Sequence, residues 1–153
     1  FVELSRELIE NCGLTVVLLG DRGDQERIIS KYEWPESVIN TAAKTSIEDL
    51  GSLIANAACV VAHDSGIMHL ANAMQTSLVA LYGPTDFEAT RPMGKKTKIL
   101  FSRTPAFSVM CRSNKSEKKL AEEFPNHEAM AGIEVAEVTS AVKGLVSLLG
   151  YGK

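Results

Sequence analysis

Short apolar runs alternate with stretches of helical spacing along this chain, and that alternation sets the expected order of elements. "FVELSRELIENCG" carries Phe1, Leu4 and Leu8 on one helical face, with Gly13 placed to end the helix. "LTVVLLG" (residues 14–20) is nearly all apolar, the pattern of a strand buried on both faces. "DRGDQERIISKY" follows as a polar turn and a modest helix, and "SVINTA" (37–42) is a weak strand. In "TSIEDLGSLIANA", Thr45 and Glu48 have capping-box spacing, while Ile47, Leu50 and Ile54 share a face. "CVVAH" is the next buried strand, followed by a helix with Ile67, Leu70, Ala71 and Met74 on its inward side. "SLVALYG" is a strand ended by Gly83-Pro84, and "KTKILF" (96–101) is another. Residues 102–127 show no clean period and read as a long loop. The last helix, "EVAEVTSAVKGLVSLLG", stacks Val135, Val138, Val142, Leu145 and Leu149 in one stripe.

Strands alternating with helices imply an α/β fold: a doubly wound parallel sheet with helices on both faces. Ligands bind such sheets outside the carboxyl ends of the strands. The candidate sites therefore lie in the loops after Leu19, Thr41, Ala62 and Tyr82.

The turn after "CVVAH" holds the densest chemistry: "HDSGIMHLAN" places Asp64, Ser65 and Gly66 at a strand's carboxyl edge. Glycine permits a sharp turn and a close approach of a ligand to the main chain. The first helical turn presents unpaired N–H groups and the positive end of the helix dipole, a seat for phosphate. Ser65, His69 and Asn72 fall at i, i+4, i+7, so His69 projects near the same helix start. Asp64 repels phosphate and suits the hydroxyls of a sugar. Read alone, Asp64 and Ser65 serve equally well as helix caps, with His69 a surface residue. His63 reads as a satisfied core histidine. A second polar turn, "YGPTDFEATRP", also follows a buried strand, and Thr85 and Asp86 would point into the same crevice.

Composition narrows the function classes. The 153 residues suffice for one domain with a real core, and the net charge is -3. A mildly acidic chain without clustered Lys and Arg argues against a nucleic-acid partner. No run approaches the roughly 18 apolar residues of a transmembrane segment. Cys12, Cys59 and Cys111 are far apart and form no CxxC, which suits reduced thiols in the cytoplasm. A chain that opens with Phe1 inside a helix reads as a piece of a longer protein.

"VVAHDSGIMHLANAMQTSLVALYGPTD" closely resembles the signature of the ADP-heptose:lipopolysaccharide heptosyltransferases, glycosyltransferase family 9. Asp64, Ser65, Gly66, His69 and Leu70, then Gly83, Pro84, Thr85 and Asp86, occupy every position of that pattern. "VVLLGDRGDQER" and "AKTSIEDLGSLIANAACVV" are similar to the segments that precede it, so the resemblance covers residues 1–100 well and the final helix loosely.

The resemblance implies one Rossmann-like half of a GT-B glycosyltransferase, with residues 1–153 as a single nucleotide-sugar-binding domain. The amino-terminal acceptor domain with the catalytic base, and a donor-binding Lys, would be absent, leaving no catalytic residue in this chain. It further implies an inverting transfer of heptose from ADP-heptose to the lipopolysaccharide inner core. The acceptor would be met through the missing domain, in the cytoplasm or at the inner face of the bacterial inner membrane. Ser65 and Gly66 would bind the diphosphate through main-chain N–H groups, and Asp64 and His69 would contact the donor near sugar and phosphates. Asp24 aligns with an acid that binds the ribose, and Thr45 would line the adenine pocket. As caps or solvated groups, Asp24 and Thr45 have ordinary structural roles as well. No metal or other cofactor is expected, since no Asp-x-Asp is seen.

The chain departs from many family members in having Cys111 alone in the segment after Gly-Pro-Thr-Asp, against a metal or disulfide there. Arg103, Arg112, Lys115, Lys118 and Lys119 would meet an anionic acceptor or simply solvate a loop. Two rivals stand beside this reading. A nucleotide-sugar 2-epimerase also has a D-S-G turn, but follows it with a further Gly and an acidic pair where Ile67-Met68-His69 stands here. A non-catalytic α/β nucleotide-binding or receiver module would need an acidic pair after its first strand, where Gly20-Asp21-Arg22 stands.

Overall fold

The computed structural model describes residues 1–83, 85, 87–102, 130, 132–148 and 150. The expected 102–127 loop, with its basic residues and Cys111, lies outside the described residues except for Ser102, which is buried. Pro84, Asp86 and Leu149 lie outside them as well. The chain divides into two compact units, residues 1–56 and 57–153.

The first unit opens with α1 (Val2–Glu10), which buries Leu4 and Leu8 while Phe1 stays half exposed, outside the face expected for it. Gly13, at φ +63°, ends the helix by entering the left-handed region, where a side chain would strain the backbone. The Gly13 and Leu14 N–H groups then reach back to the Ile9 and Leu8 carbonyls. Strands β1 (Val17–Leu18) and β2 (Ile39–Asn40) pair in parallel, Val17 opposite Ile39. Both pairs alternate in exposure, so "LTVVLLG" is not the doubly buried strand its composition suggests. Val17 and Ile39 stay 37% and 50% exposed on one face. Between the strands runs α2 (Arg22–Arg27), then a 3-10 turn at Ile29–Lys31. The helix α3 (Ile47–Asn56) closes the unit.

The second unit is a parallel three-stranded sheet of β3 (Val60–His63), β4 (Leu78–Tyr82) and β5 (Thr97–Phe101), in that order. Register pairs His63 with Leu81 and Tyr82 with Phe101, so the three carboxyl ends finish side by side. All five β4 residues are at most 5% exposed, as expected of a central strand covered on both faces. Each buried Val or Leu side chain there contributes roughly 1.5–3 kcal/mol. α4 (Gly66–Ala73) packs on β3 and β4, and α6 (Val135–Ser147) packs on β4. A short α5 (Phe87–Thr90) follows β4.

Two expected helix faces shift. In α4 the fully buried residues are Met68 and Ala71, while Met74 is 41% exposed. Apolar side chains stand on nearly every side of that helix, so periodicity alone does not select which one faces the sheet. In α6, Val138 and Val142 are buried as expected, joined by Thr139 and Val146 rather than Val135 and Leu145.

Burial pushes the Cys59 thiol, just before β3, from 9.0 up to about 12, against the opposing effect of a hydrogen bond with the Val79 backbone. The folded state thus holds a proton that the unfolded chain releases above pH 9, so this contribution to stability is whole below pH 9 and lost toward pH 12. Cys59→Ala is expected to flatten the fall in denaturant midpoint across that window, read by urea melts at stepped pH. An unchanged slope would show that the thiol titrates normally.

Candidate functional site

The carboxyl ends of β3 and β4 bound a cavity of about 170 Å3 lined by His63, Asp64, Leu81, Gly83, Thr85 and Met130. The turns after both strands contribute, as adjacent parallel strands in register require. His63 is not the core histidine its position suggests: it is exposed at the strand end and lines this cavity. Strand-end placement was the available signal for it. Met130, beyond the long unpatterned stretch, had none.

Asp64 is neither a helix cap nor a solvated acid. Its side chain is 9% exposed, its Oδ2 accepts a 2.8 Å hydrogen bond from Thr90 Oγ1, and its Oδ1 lies 3.7 Å from His69 Nε2. Ser65 occupies the N-cap position of α4 but makes no side-chain capping bond; its hydroxyl donates to the His63 carbonyl at 3.1 Å. Neither neighbour therefore claims the N–H groups of the first helical turn, which remain for water or a ligand. Gly66 is the first helical residue, and a Cβ built on it would meet nothing within 4 Å. Its φ is not in the left-handed region, so the sharp turn expected to require glycine is not what requires it. His69, with its side chain 52% exposed, lies one turn along α4 beside Asp64. Thr85 is exposed on the cavity rim, and Asp86 lies outside the described residues.

Behind Asp64 stands a buried support. Tyr82, fully buried at the end of β4, donates from its hydroxyl to the Thr90 carbonyl at 3.1 Å and lies 3.4 Å from Thr90 Oγ1. Its ring meets Phe87 edge-on at 5.2 Å, and Phe87 meets Phe101 at 4.8 Å. Burial, and with it the negative charge of Asp64, pushes the Tyr82 phenol above its ordinary 10.0 against the opposing Thr90 bond, so it stays protonated.

Asp24 and Thr45 lie in the first unit, Asp24 in the first turn of α2, just beyond the loop after β1, and Thr45 on the loop after β2. Those loops are tied together: the Ala43 N–H donates to the Gly20 carbonyl at 3.0 Å, with Ala43 itself at φ +59°. Asp24 completes a reciprocal capping box with Asp21, its Oδ2 accepting from the Asp21 N–H at 3.1 Å. The cap of α3 is one residue later than spacing suggests. Ser46 and Asp49 exchange the capping bonds, at 3.1 and 3.3 Å, instead of Thr45 and Glu48. Thr45 is thereby released from capping. Among the described residues no three His, Cys, Asp or Glu side chains gather closely enough to hold a metal ion. No described helix is long and apolar enough to cross a membrane.

Comparison with known proteins gives the family and the fold. The chain is 37% identical over 99 residues to lipooligosaccharide heptosyltransferase 2 of Haemophilus influenzae, covering 61% of this chain and 29% of that protein. It is 36% identical over 105 residues to lipopolysaccharide heptosyltransferase 2 of Salmonella typhimurium, covering 65% and 30%. The chain thus spans about 30% of the length of the curated relatives it matches. The solved ADP-heptose lipopolysaccharide heptosyltransferase II of Escherichia coli superposes with TM-score 0.75 at 27% identity, over 97% of this chain and 41% of that one. A family 9 glycosyl transferase from Veillonella parvula superposes with TM-score 0.74 at 19% identity, over 97% and 40%, and shares the fold. The α/β, Rossmann-like architecture is that of these glycosyltransferases. Residues 1–121 match glycosyltransferase family 9 (heptosyltransferase), and the chain belongs to that family.

Proposed function

We propose that this chain is the donor-binding part of an inverting glycosyltransferase that moves heptose from ADP-heptose onto the lipopolysaccharide inner core. The observation that carries the reading is the start of α4. Its N–H groups are left unclaimed by Ser65, open space surrounds Gly66, and a nearly buried carboxylate stands at the adjoining cavity. In this reading the diphosphate sits at Ser65 and Gly66, where the helix dipole and main-chain donors stabilise the charge that grows on the leaving ADP. Asp64 accepts hydrogen bonds from the sugar. Asp24, in the first turn of α2, and Thr45, on the loop after β2, take the ribose and the adenine. No metal is required, because fixed dipoles meet the leaving-group charge.

The relatives' names support the substrate class, since each is a heptosyltransferase acting on lipopolysaccharide or lipooligosaccharide. The base that deprotonates the acceptor hydroxyl, and the contacts to the acceptor, belong on this reading to the part of the enzyme beyond these residues. Work on a lipopolysaccharide core would place the enzyme in the cytoplasm, against the inner membrane.

Calorimetry of the chain with ADP, ADP-heptose and UDP-sugars tests the reading. Binding of the two adenine nucleotides and rejection of the uridine ones is expected; the reverse preference would overturn it. The 153 residues by themselves are expected to give no turnover of ADP-heptose onto a core acceptor. Product formation in that assay would show that a base lies in this chain.

A further inference from the structure

We infer that Thr90 is a positioning residue for the donor sugar, acting through Asp64 and itself held in place by Tyr82. The inference rests on the proposed contact between Asp64 and the sugar. A carboxylate on a strand-end turn has two equivalent oxygens and a free rotation about its last bond. Here that freedom is removed. Thr90 Oγ1 takes Oδ2 at 2.8 Å, which leaves Oδ1 turned toward His69 at 3.7 Å. Bonds to an ionised acceptor are short and about twice as strong as neutral ones, so one such bond suffices to orient the group.

The hydroxyl can hold Asp64 still because it is itself held. α5 is a single turn of four residues, too short to be rigid alone. Its first residue, Phe87, packs edge-on against the rings of both Tyr82 and Phe101, and its last, Thr90, receives the Tyr82 hydroxyl on its carbonyl. The phenol thus satisfies a carbonyl that the end of the helix leaves open. Tyr82 is fully buried on the sheet, so the rigidity of β4 is passed through α5 to the carboxylate. Twenty-six residues separate Thr90 from Asp64, and nothing in the local sequence of either one requires the pairing.

The test compares dissociation constants for ADP and ADP-heptose, by calorimetry, in the full chain. Thr90→Val keeps the side-chain shape and deletes the donor. It is expected to weaken ADP-heptose binding by about ten-fold while leaving ADP nearly unchanged. Thr90→Ser, which keeps the hydroxyl, is expected to restore the wild-type ratio. In an Asp64→Ala background Thr90→Val should cause no further loss, since the group it orients is gone. Tyr82→Phe gives an independent reading should Thr90→Val not fold: the same ratio should move in the same direction, by less. A merely structural Thr90 would instead lower the melting temperature and weaken both ligands alike, and that outcome overturns the inference. A wild-type chain that binds ADP but not ADP-heptose would overturn the proposed donor and this inference with it. A wild type that binds both, with an unchanged ratio in Thr90→Val, overturns this inference alone.

Discussion

Replacing Gly66 with Val is expected to leave the chain folded and to weaken ADP binding at least about ten-fold, the loss of one charge-assisted hydrogen bond worth roughly 1.5–3 kcal/mol. The two halves of that expectation come from one observation. A Cβ at position 66 would meet no protein atom within 4 Å, and the backbone there is not left-handed, so neither packing nor strain asks for glycine. Exposed substitutions of that kind usually change stability by no more than about 0.5 kcal/mol. A diphosphate seated on the first-turn N–H groups would instead share that open space with the new methyls and be pushed away from its donors. Gly66→Ala, with a single added carbon, should fall between. The measurement is the ADP dissociation constant beside the thermal midpoint. A folded Gly66→Val chain with wild-type affinity would mean that the start of α4 binds no phosphate.

Asp64→Ala is the second large effect, and it should separate the two ligands. The carboxylate lies next to the proposed diphosphate seat, where like charge is unfavourable unless another group uses it. Sugar hydroxyls are the natural donors, so removing Asp64 should weaken ADP-heptose by about ten-fold or more and ADP little, or even favour ADP. The substitution also strips Thr90 Oγ1 of its acceptor beside the buried Tyr82 hydroxyl. A stability loss of about 1.5–3 kcal/mol from that lost bond to a charged acceptor should therefore accompany the change in ratio. It cannot come from a lost helix cap, because Asp64 makes none. Both constants, measured at one pH and one salt, decide the matter. An equal loss for both ligands would take Asp64 out of the sugar site and leave it a purely structural acceptor.

Much of the second unit was legible residue by residue. "CVVAH" and "SLVALYG" are apolar runs bounded by polar turns, and both became strands of that unit's three-stranded sheet. For β4 that outcome needs nothing beyond local composition, because a strand covered on both faces tolerates no polar residue on either; β3 is fully covered only at Val60 and Ala62, so its expected burial on both faces is not met. Their parallel pairing put the Asp64 and Thr85 turns around one cavity, as the rule for strand carboxyl ends anticipates. The first unit was less legible. "LTVVLLG" has the same composition, yet its two paired residues alternate in exposure, since covering a face is a property of neighbours and not of the run itself. The α3 cap failed by one position for a related reason. Thr45 and Ser46 each stand three residues before an acid, and spacing cannot choose between them. Only the path of the chain leaving β2 does.

The sequence by itself determined the order of strands and helices and the glycine that ends α1. It also placed Asp64, Ser65 and Gly66 between a strand and a helix, because each depends on contacts within a few residues. Tertiary structure alone decided what those residues do. It took Asp64 from capping and gave it to Thr90, turned α4 so that Met68 rather than Met74 lies against the sheet, and brought His63 to the cavity wall. Each of these is a choice among partners far apart in the chain. Such choices are made by which groups burial leaves without water, and a local pattern carries no record of them.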